Sequence, residues 1–149
     1  MYNQKSKDLL VKKLESEDFN RITCSFYKYV TIVDPIAFRD KIYEEFDNLE
    51  ILGRVYIAEE GMNAQISVPD KNWGLFLKLI SSAKLLYDID IKTAINDGIS
   101  FYKLIVKVKK EIVAYNIPKN KFNMDVVGEH LNTKQFNEAI EHSNTTVID

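Results

Sequence analysis

The hydrophobic patterning of this 149-residue chain predicts an α+β domain of the ferredoxin-like, split β-α-β type: an antiparallel sheet with its helices on one face, plus an N-terminal helix. Three observations carry the prediction. β-branched and aromatic residues alternate with polar ones in residues 22–32, 54–58, 63–68 and 101–108. Between these runs, apolar residues recur at helical spacing in two segments, Phe38, Ile42, Phe46 and Leu49, then Trp73, Phe76, Leu77 and Ile80. The resulting order is strand, helix, strand, strand, helix, strand, with one extra strand-like run at 89–95 before the last. Right-handed crossovers then lay both helices on one side of the sheet and leave the other side open.

Taken in order, residues 5–19 carry Leu9, Leu10 and Leu14 among charges, the pattern of a short amphipathic helix bracing the outside. In the first strand Cys24, Phe26 and Val30 are expected toward the helices, and Ser25, Tyr27 and Tyr29 away from them. Asp34-Pro35 is a helix start, because the carboxylate can accept a first-turn N–H and proline has none to donate there, so a helix is expected over 35–49. Residues 54–58 and 63–68 should form an antiparallel hairpin about Glu59-Glu60-Gly61-Met62, with Gly61 supplying a positive φ. A second helix is expected over 70–83, with Gly74 its weak point. A strand at 89–95, a turn at Asn96-Asp97-Gly98, the strand 101–108 and a short strand at 111–113 follow. Residues 118–123 read as a linker, Asn132 opens a helix bearing Phe136 and Ile140, and 145–149 reads as a new strand beginning where the chain stops, which points to a truncated chain or a processed fragment. The expected division is therefore 1–20, a helical brace; 21–116, the sheet domain; and 117–149, a linker, a short helix and the first strand of a further domain.

Composition excludes several classes. Hydrophobic residues make up 46% and charged residues 28%, the balance of a globular protein, and the longest apolar runs are broken by Lys28, Lys103 and Lys107, so no membrane span is expected and a cytoplasmic location is the default. Cys24 is the sole cysteine, which rules out an internal disulfide or a thiolate-rich zinc site, and the two histidines, His130 and His142, do not share a helical ligand spacing. With a net charge of −2, the chain would need a locally basic surface to bind a polyanion.

Alternation supplies such a surface. Ser25, Tyr27, Tyr29, Arg54, Tyr56, Gln65, Ser67, Lys103, Lys107 and Lys109 are expected on the open face, where rings can stack on bases and cations neutralise phosphates. An ordinary solvated sheet face has much the same composition, and that alternative stays open. Cys24, in an apolar strand facing the helices, reads as a small buried hydrophobe, and Glu59-Glu60 reads as a hairpin tip, not an acid–base pair. No catalytic residue and no metal ligand is assigned.

Several of these segments, taken as a set, resemble the rhodanese-domain-containing tRNA uridine hydroxylase family. The resemblance is carried by Ser25-Phe26-Tyr27-Lys28-Tyr29, by Asp34-Pro35 with Arg39-Asp40, and above all by the run from Gly53 through Ala58-Glu59-Glu60-Gly61-Met62-Asn63-Ala64-Gln65 to Val68. Lys107-Val108-Lys109, Glu111-Ile112-Val113, Val127-Gly128-Glu129-His130-Leu131 and Val147-Ile148-Asp149 extend it. It implies an acylphosphatase-like domain ahead of a rhodanese domain, oxygen-dependent 5-hydroxylation of the tRNA wobble uridine by the whole protein, and a catalytic cysteine downstream that no residue here matches. Expected partners are tRNA and the rhodanese domain of the same protein, with molecular oxygen as co-substrate and no cofactor in this chain. Tyr27, Tyr29, Arg54, Lys103 and Lys107 are the expected RNA-binding residues. A rhodanese-type sulfurtransferase and a non-catalytic scaffold or docking domain are the alternatives.

Overall fold

A computed structural model describes residues 6–95, 100–113 and 128–148. The elements are α1 (Lys7–Glu15), β1 (Arg21–Tyr29), α2 (Pro35–Asn48), β2 (Leu52–Ala58), β3 (Gly61–Pro69), α3 (Trp73–Ser82, after a 3-10 turn), β4 (Lys92–Thr93), β5 (Leu104–Val108) and α4 (Thr133–Ile140). The chain divides into two compact units, Met1–Tyr115 and Asn116–Asp149. In the second unit α4 is closed by a capping box, with Asn132 accepting from the Gln135 N–H and Gln135 accepting from the Asn132 N–H, but residues 145–148 form no strand, contrary to expectation. The expected turn at Asn96-Asp97-Gly98 and the expected linker at 118–123 lie outside the described residues.

In the first unit the strands run β4-β1-β3-β2-β5 across one sheet. Among β4, β1, β3 and β2 each strand is antiparallel to its neighbour and, with α2 and α3, they make the ferredoxin-like arrangement expected. The sheet as a whole is mixed, because β5 pairs parallel to β2. This corrects the all-antiparallel expectation and exchanges two strands. The two-residue β4 closes the ferredoxin-like order, and the run expected to close it is instead the addition, on the opposite edge. Alternation assigns each strand its two faces but says nothing of which edge it will join. The short strand expected at 111–113 is absent; those residues cross over the sheet.

Local chemistry explains the boundaries. Asp34 Oδ1 accepts the N–H groups of Ile36 (3.1 Å) and Ala37 (3.0 Å), starting α2 at Pro35. The hairpin turns at Glu59-Glu60 alone, with Ala58 opposite Gly61, and its two turn carbonyls accept from Val30 (2.9 Å) and Ile32 (2.9 Å) as β1 runs out. Gly61 is therefore not the turn residue expected. It has the positive φ expected, +148°, inside β3, and a Cβ there would enter the Lys28 carbonyl of β1. Gly53 (φ +143°) is held in the same way against the Gln65 carbonyl.

One face of the sheet and both helices enclose the core: Cys24, Phe26, Val55, Ile57, Met62, Ala64, Ile66, Val68 and Val106 meet Ile42 and Phe46 of α2 and Phe76 and Ile80 of α3. Phe76 is its hub, with ring centroids 6.1 Å from Phe26, 6.0 Å from Phe46 and 5.4 Å from Trp73. Leu77, expected on this stripe, is 40% exposed, and Leu79 packs there instead.

At one end of β1, Arg21 binds Glu17 through two bonds (2.7 and 2.8 Å) and donates to the carbonyls of Glu50 (2.9 Å) and Ser67 (3.2 Å), tying the link from α1 to the starts of β2 and the end of β3. Glu50, at φ 55°, accepts from Lys71 at 2.8 Å, and this hydrogen bond holds its carboxyl below the usual range.

The glycines give a paired test. Gly61→Ala should cost about 2–4 kcal/mol in urea unfolding, since the strand pair must separate to admit the methyl group. Gly74→Ala, with open space around it, should be neutral or stabilising by up to about 1 kcal/mol.

Candidate functional site

Register settles which side chains share the open face, because paired residues on neighbouring strands project to the same side. Beyond the terminal pair Arg21 and Pro69, the pairings define four rows. The first is Thr23, Ser67 and Leu52, with Lys103 next to β5 on the same side; the second is Lys92, Ser25, Gln65, Arg54 and Ile105; the third is Tyr27, Asn63, Tyr56 and Lys107; the fourth is Tyr29, Gly61 and Ala58, with Lys109 beyond the end of β5. No carboxylate stands in any row, in a chain whose net charge is −2.

The two outer rows are partly covered, with Tyr29 and Lys109 of the fourth still exposed. In the first row Ser67 and the Thr23 hydroxyl are buried, and Leu52 and Lys103 line a cleft with Leu10 and Leu14 of α1. Over the fourth row passes a strap, residues 109–113. Lys109 continues the β5 ladder with its N–H on the Ile57 carbonyl (2.8 Å), and its ammonium lies 5.4 Å from the Tyr56 ring centroid. Ile112 is then fixed at both backbone atoms, its N–H on Glu60 Oε1 (2.8 Å) and its carbonyl accepting from Asn63 Nδ2 (3.2 Å), and is only 3% exposed. Ala58 in that row is fully buried.

What remains open is the strip made by the two middle rows. Tyr27 is 62% exposed, and Ser25, Gln65, Arg54, Lys92 and Lys107 are exposed. Of the expected residues, the structure brings Tyr27, Arg54 and Lys107 into the strip. Tyr29 stands at its rim, edge-on to Tyr27 with centroids 6.1 Å apart and planes at 74°, and its hydroxyl pKa is raised by burial and by nearby Glu60. Lys103 is half-buried in the first row, beside the α1 cleft. Sequence reasoning missed Lys92, since the run 89–95 lacked an assigned partner, and read residues 111–113 of the strap as a short strand.

The interior offers no chemistry. Cys24 is 2% exposed, and burial pushes its thiol from 9.0 up to about 12. Among the described residues no three of His, Cys, Asp and Glu converge as a metal site, and no helix is long and apolar enough to cross a membrane. The side chains named in the open strip include no carboxylate, thiol or imidazole.

The family model described as UPF0176 acylphosphatase like domain matches residues 21–112. Proteins named tRNA uridine(34) hydroxylase match the entire chain: that of Leptospira interrogans at 41% identity over 150 residues, covering 41% of its own length, that of Buchnera aphidicola at 38% and 48% of its length, and that of Pectobacterium carotovorum at 40% and 42%. The chain thus spans less than half the length of these relatives. A solved structure, the dark state of the BLUF protein BlrB, aligns with 59% of this chain and 73% of its own at 18% identity and a TM-score of 0.44, a likeness on which nothing further rests.

Two measurements check this geometry. Native protein at pH 8 should leave Cys24 unalkylated until unfolded, by mass spectrometry, and stability should fall as pH rises from about 9 toward 12, because the unfolded thiol loses its proton before the folded one does. Rapid labelling without unfolding would contradict the burial. Glu60→Ala should raise hydrogen exchange at the Ile112 amide at least tenfold while leaving Ile66 in β3 protected, consistent with loss of one charge-assisted bond of about 1.5–3 kcal/mol.

Proposed function

The chain belongs to the UPF0176 acylphosphatase like domain family, and from its acid-free strip we propose that it is the RNA-holding part of an enzyme that modifies tRNA. The observation that carries this reading is that Arg54, Lys92 and Lys107 share the open strip with an exposed ring, Tyr27, in a chain of net negative charge whose relatives are named for a tRNA uridine. A local basic field attracts phosphates even where whole-molecule charge does not.

In this reading the whole protein hydroxylates C5 of the wobble uridine, with molecular oxygen as co-substrate, in the cytoplasm where tRNA is found. The reacting cysteine belongs to a rhodanese domain of the same protein. This chain's residues position the RNA and make or break no bond. Holding matters to such a reaction, because an enzyme acting on one base must keep the neighbouring nucleotides in place while that base is turned out.

Titration with unmodified tRNA at low and moderate salt tests the proposal. Binding should saturate and weaken as salt rises. In Arg54→Ala/Lys107→Ala it should be weaker at every salt concentration, with the slope of log affinity against log salt shallower by about 1.4, two phosphate contacts at about 0.7 each for single-stranded RNA. Lys103→Ala, outside the strip, should weaken binding less than Arg54→Ala. Absence of binding at either salt would make the domain a scaffold instead.

A further inference from the structure

The walls around the strip restrict what it can take. Strands lie about 4.8 Å apart, so the row from Lys92 to Ile105 is about 19 Å long and the row from Tyr27 to Lys107 about 14 Å, while the two rows are separated by about 7 Å. Double-stranded RNA is read by shape over about 16 base pairs, through contacts spread over successive minor grooves. A strip of this size, bounded by the α1 cleft and by the strap, offers too little surface for that. The open sheet face of an RNA-recognition module instead stacks unpaired bases on its aromatic side chains, and this strip offers the exposed ring of Tyr27 for that.

Side-chain chemistry runs the same way across the strands, stepping between the two rows. Beginning at β4, the strip presents the cation Lys92, then the ring of Tyr27 on β1, the amide of Gln65 on β3, the guanidinium of Arg54 on β2 and the ammonium of Lys107 on β5. The ring stands between cations. Tyr56 is already under Lys109, and the Asn63 amide is committed to the Ile112 carbonyl, so the exposed ring and amide in the strip are those of Tyr27 and Gln65. Tyr29, edge-on to Tyr27, steadies that ring from the rim.

We propose that the strip binds two or three unpaired nucleotides laid across the strands, with one base stacked on Tyr27, a base edge at Gln65 and phosphates at Arg54, Lys107 and Lys92. The proposal rests on the RNA-holding reading and adds to it the strand state of the RNA and the residue that senses it. Tyr27 distinguishes unpaired from paired RNA because a base within a duplex has both faces already stacked.

The test uses the full chain with three probes: a fluorescent five-nucleotide oligouridylate, an RNA duplex of about 20 base pairs, longer than the roughly 16 that a duplex reader spans, and unmodified tRNA. The single strand should bind and compete with tRNA where equal concentrations of duplex do not. Tyr27→Ala should weaken single-strand binding about 5- to 150-fold, the range for losing one stacked base. Tyr27→Phe should retain most of it, and Lys78→Ala on α3 should change nothing. Tyr27 is mostly exposed, so its replacement leaves the core intact, which a circular dichroism spectrum checks. If tRNA and duplex bind alike while the single strand does not, or if Tyr27→Ala binds as well as the parent while Arg54→Ala does not, the strand-state inference is overturned and the RNA-holding reading stands. If neither tRNA nor the single strand binds, the RNA-holding reading itself falls.

Discussion

The structure depends on β3 lying between β1, which pairs with it from Gly61 to Pro69, and β2, which pairs with it from Gly61 to Ser67. That register puts Met62, Ala64, Ile66 and Val68 under the helices and, by the same alternation, Asn63 and Gln65 on the open side. A shift of one residue would exchange the two sets, so the core's hydrophobicity also specifies the binding face. The two close backbone approaches, Gly61 to Lys28 and Gly53 to Gln65, lie along this central ladder, and both tolerate only a residue without a Cβ.

The open face is narrower than a bare sheet because two unrelated pieces of chain border it. At one end α1 lies beside Leu52 and Lys103, and Arg21 fastens the adjoining segment with an ion pair to Glu17 that is nearly shielded from solvent. Such a pair contributes mainly by satisfying carbonyls and fixing geometry, since desolvation offsets much of its Coulomb attraction. At the other end the strap is held by two hydrogen bonds to side chains that belong to the hairpin, Glu60 and Asn63. The hairpin tip, which looked like a solvated pair of acids, thus anchors backbone at each side: its carbonyls take β1's continuation and Glu60 takes the strap.

Charge is distributed unevenly. The two middle rows of the open side carry Lys92, Arg54 and Lys107, whereas carboxylates stand at its borders, Glu60 under the strap and Glu17, Asp47 and Glu50 in the cleft that Lys103 lines. An ion within about 10 Å feels this local arrangement more than the whole-chain sum, because salt screens the distant charges at physiological ionic strength.

Sequence alone determined what local physics dictates. Alternation assigned Tyr27, Arg54 and Lys107 to one face, Asp34-Pro35 located the start of α2 to the residue, helical spacing found both packed helices, and the run from Gly53 to Val68 carried the family. Only the tertiary structure decided which edge each late strand joined, that Leu79 and not Leu77 completes the α3 stripe, that Gly61 answers to a neighbouring strand and not to its own turn, and that Lys103 is drawn aside while Lys92 enters the strip. Each of these depends on partners distant in sequence. Periodicity records which way a side chain points along its own element, but the choice of neighbour is made by packing and hydrogen-bonding between segments that the linear pattern leaves unconnected.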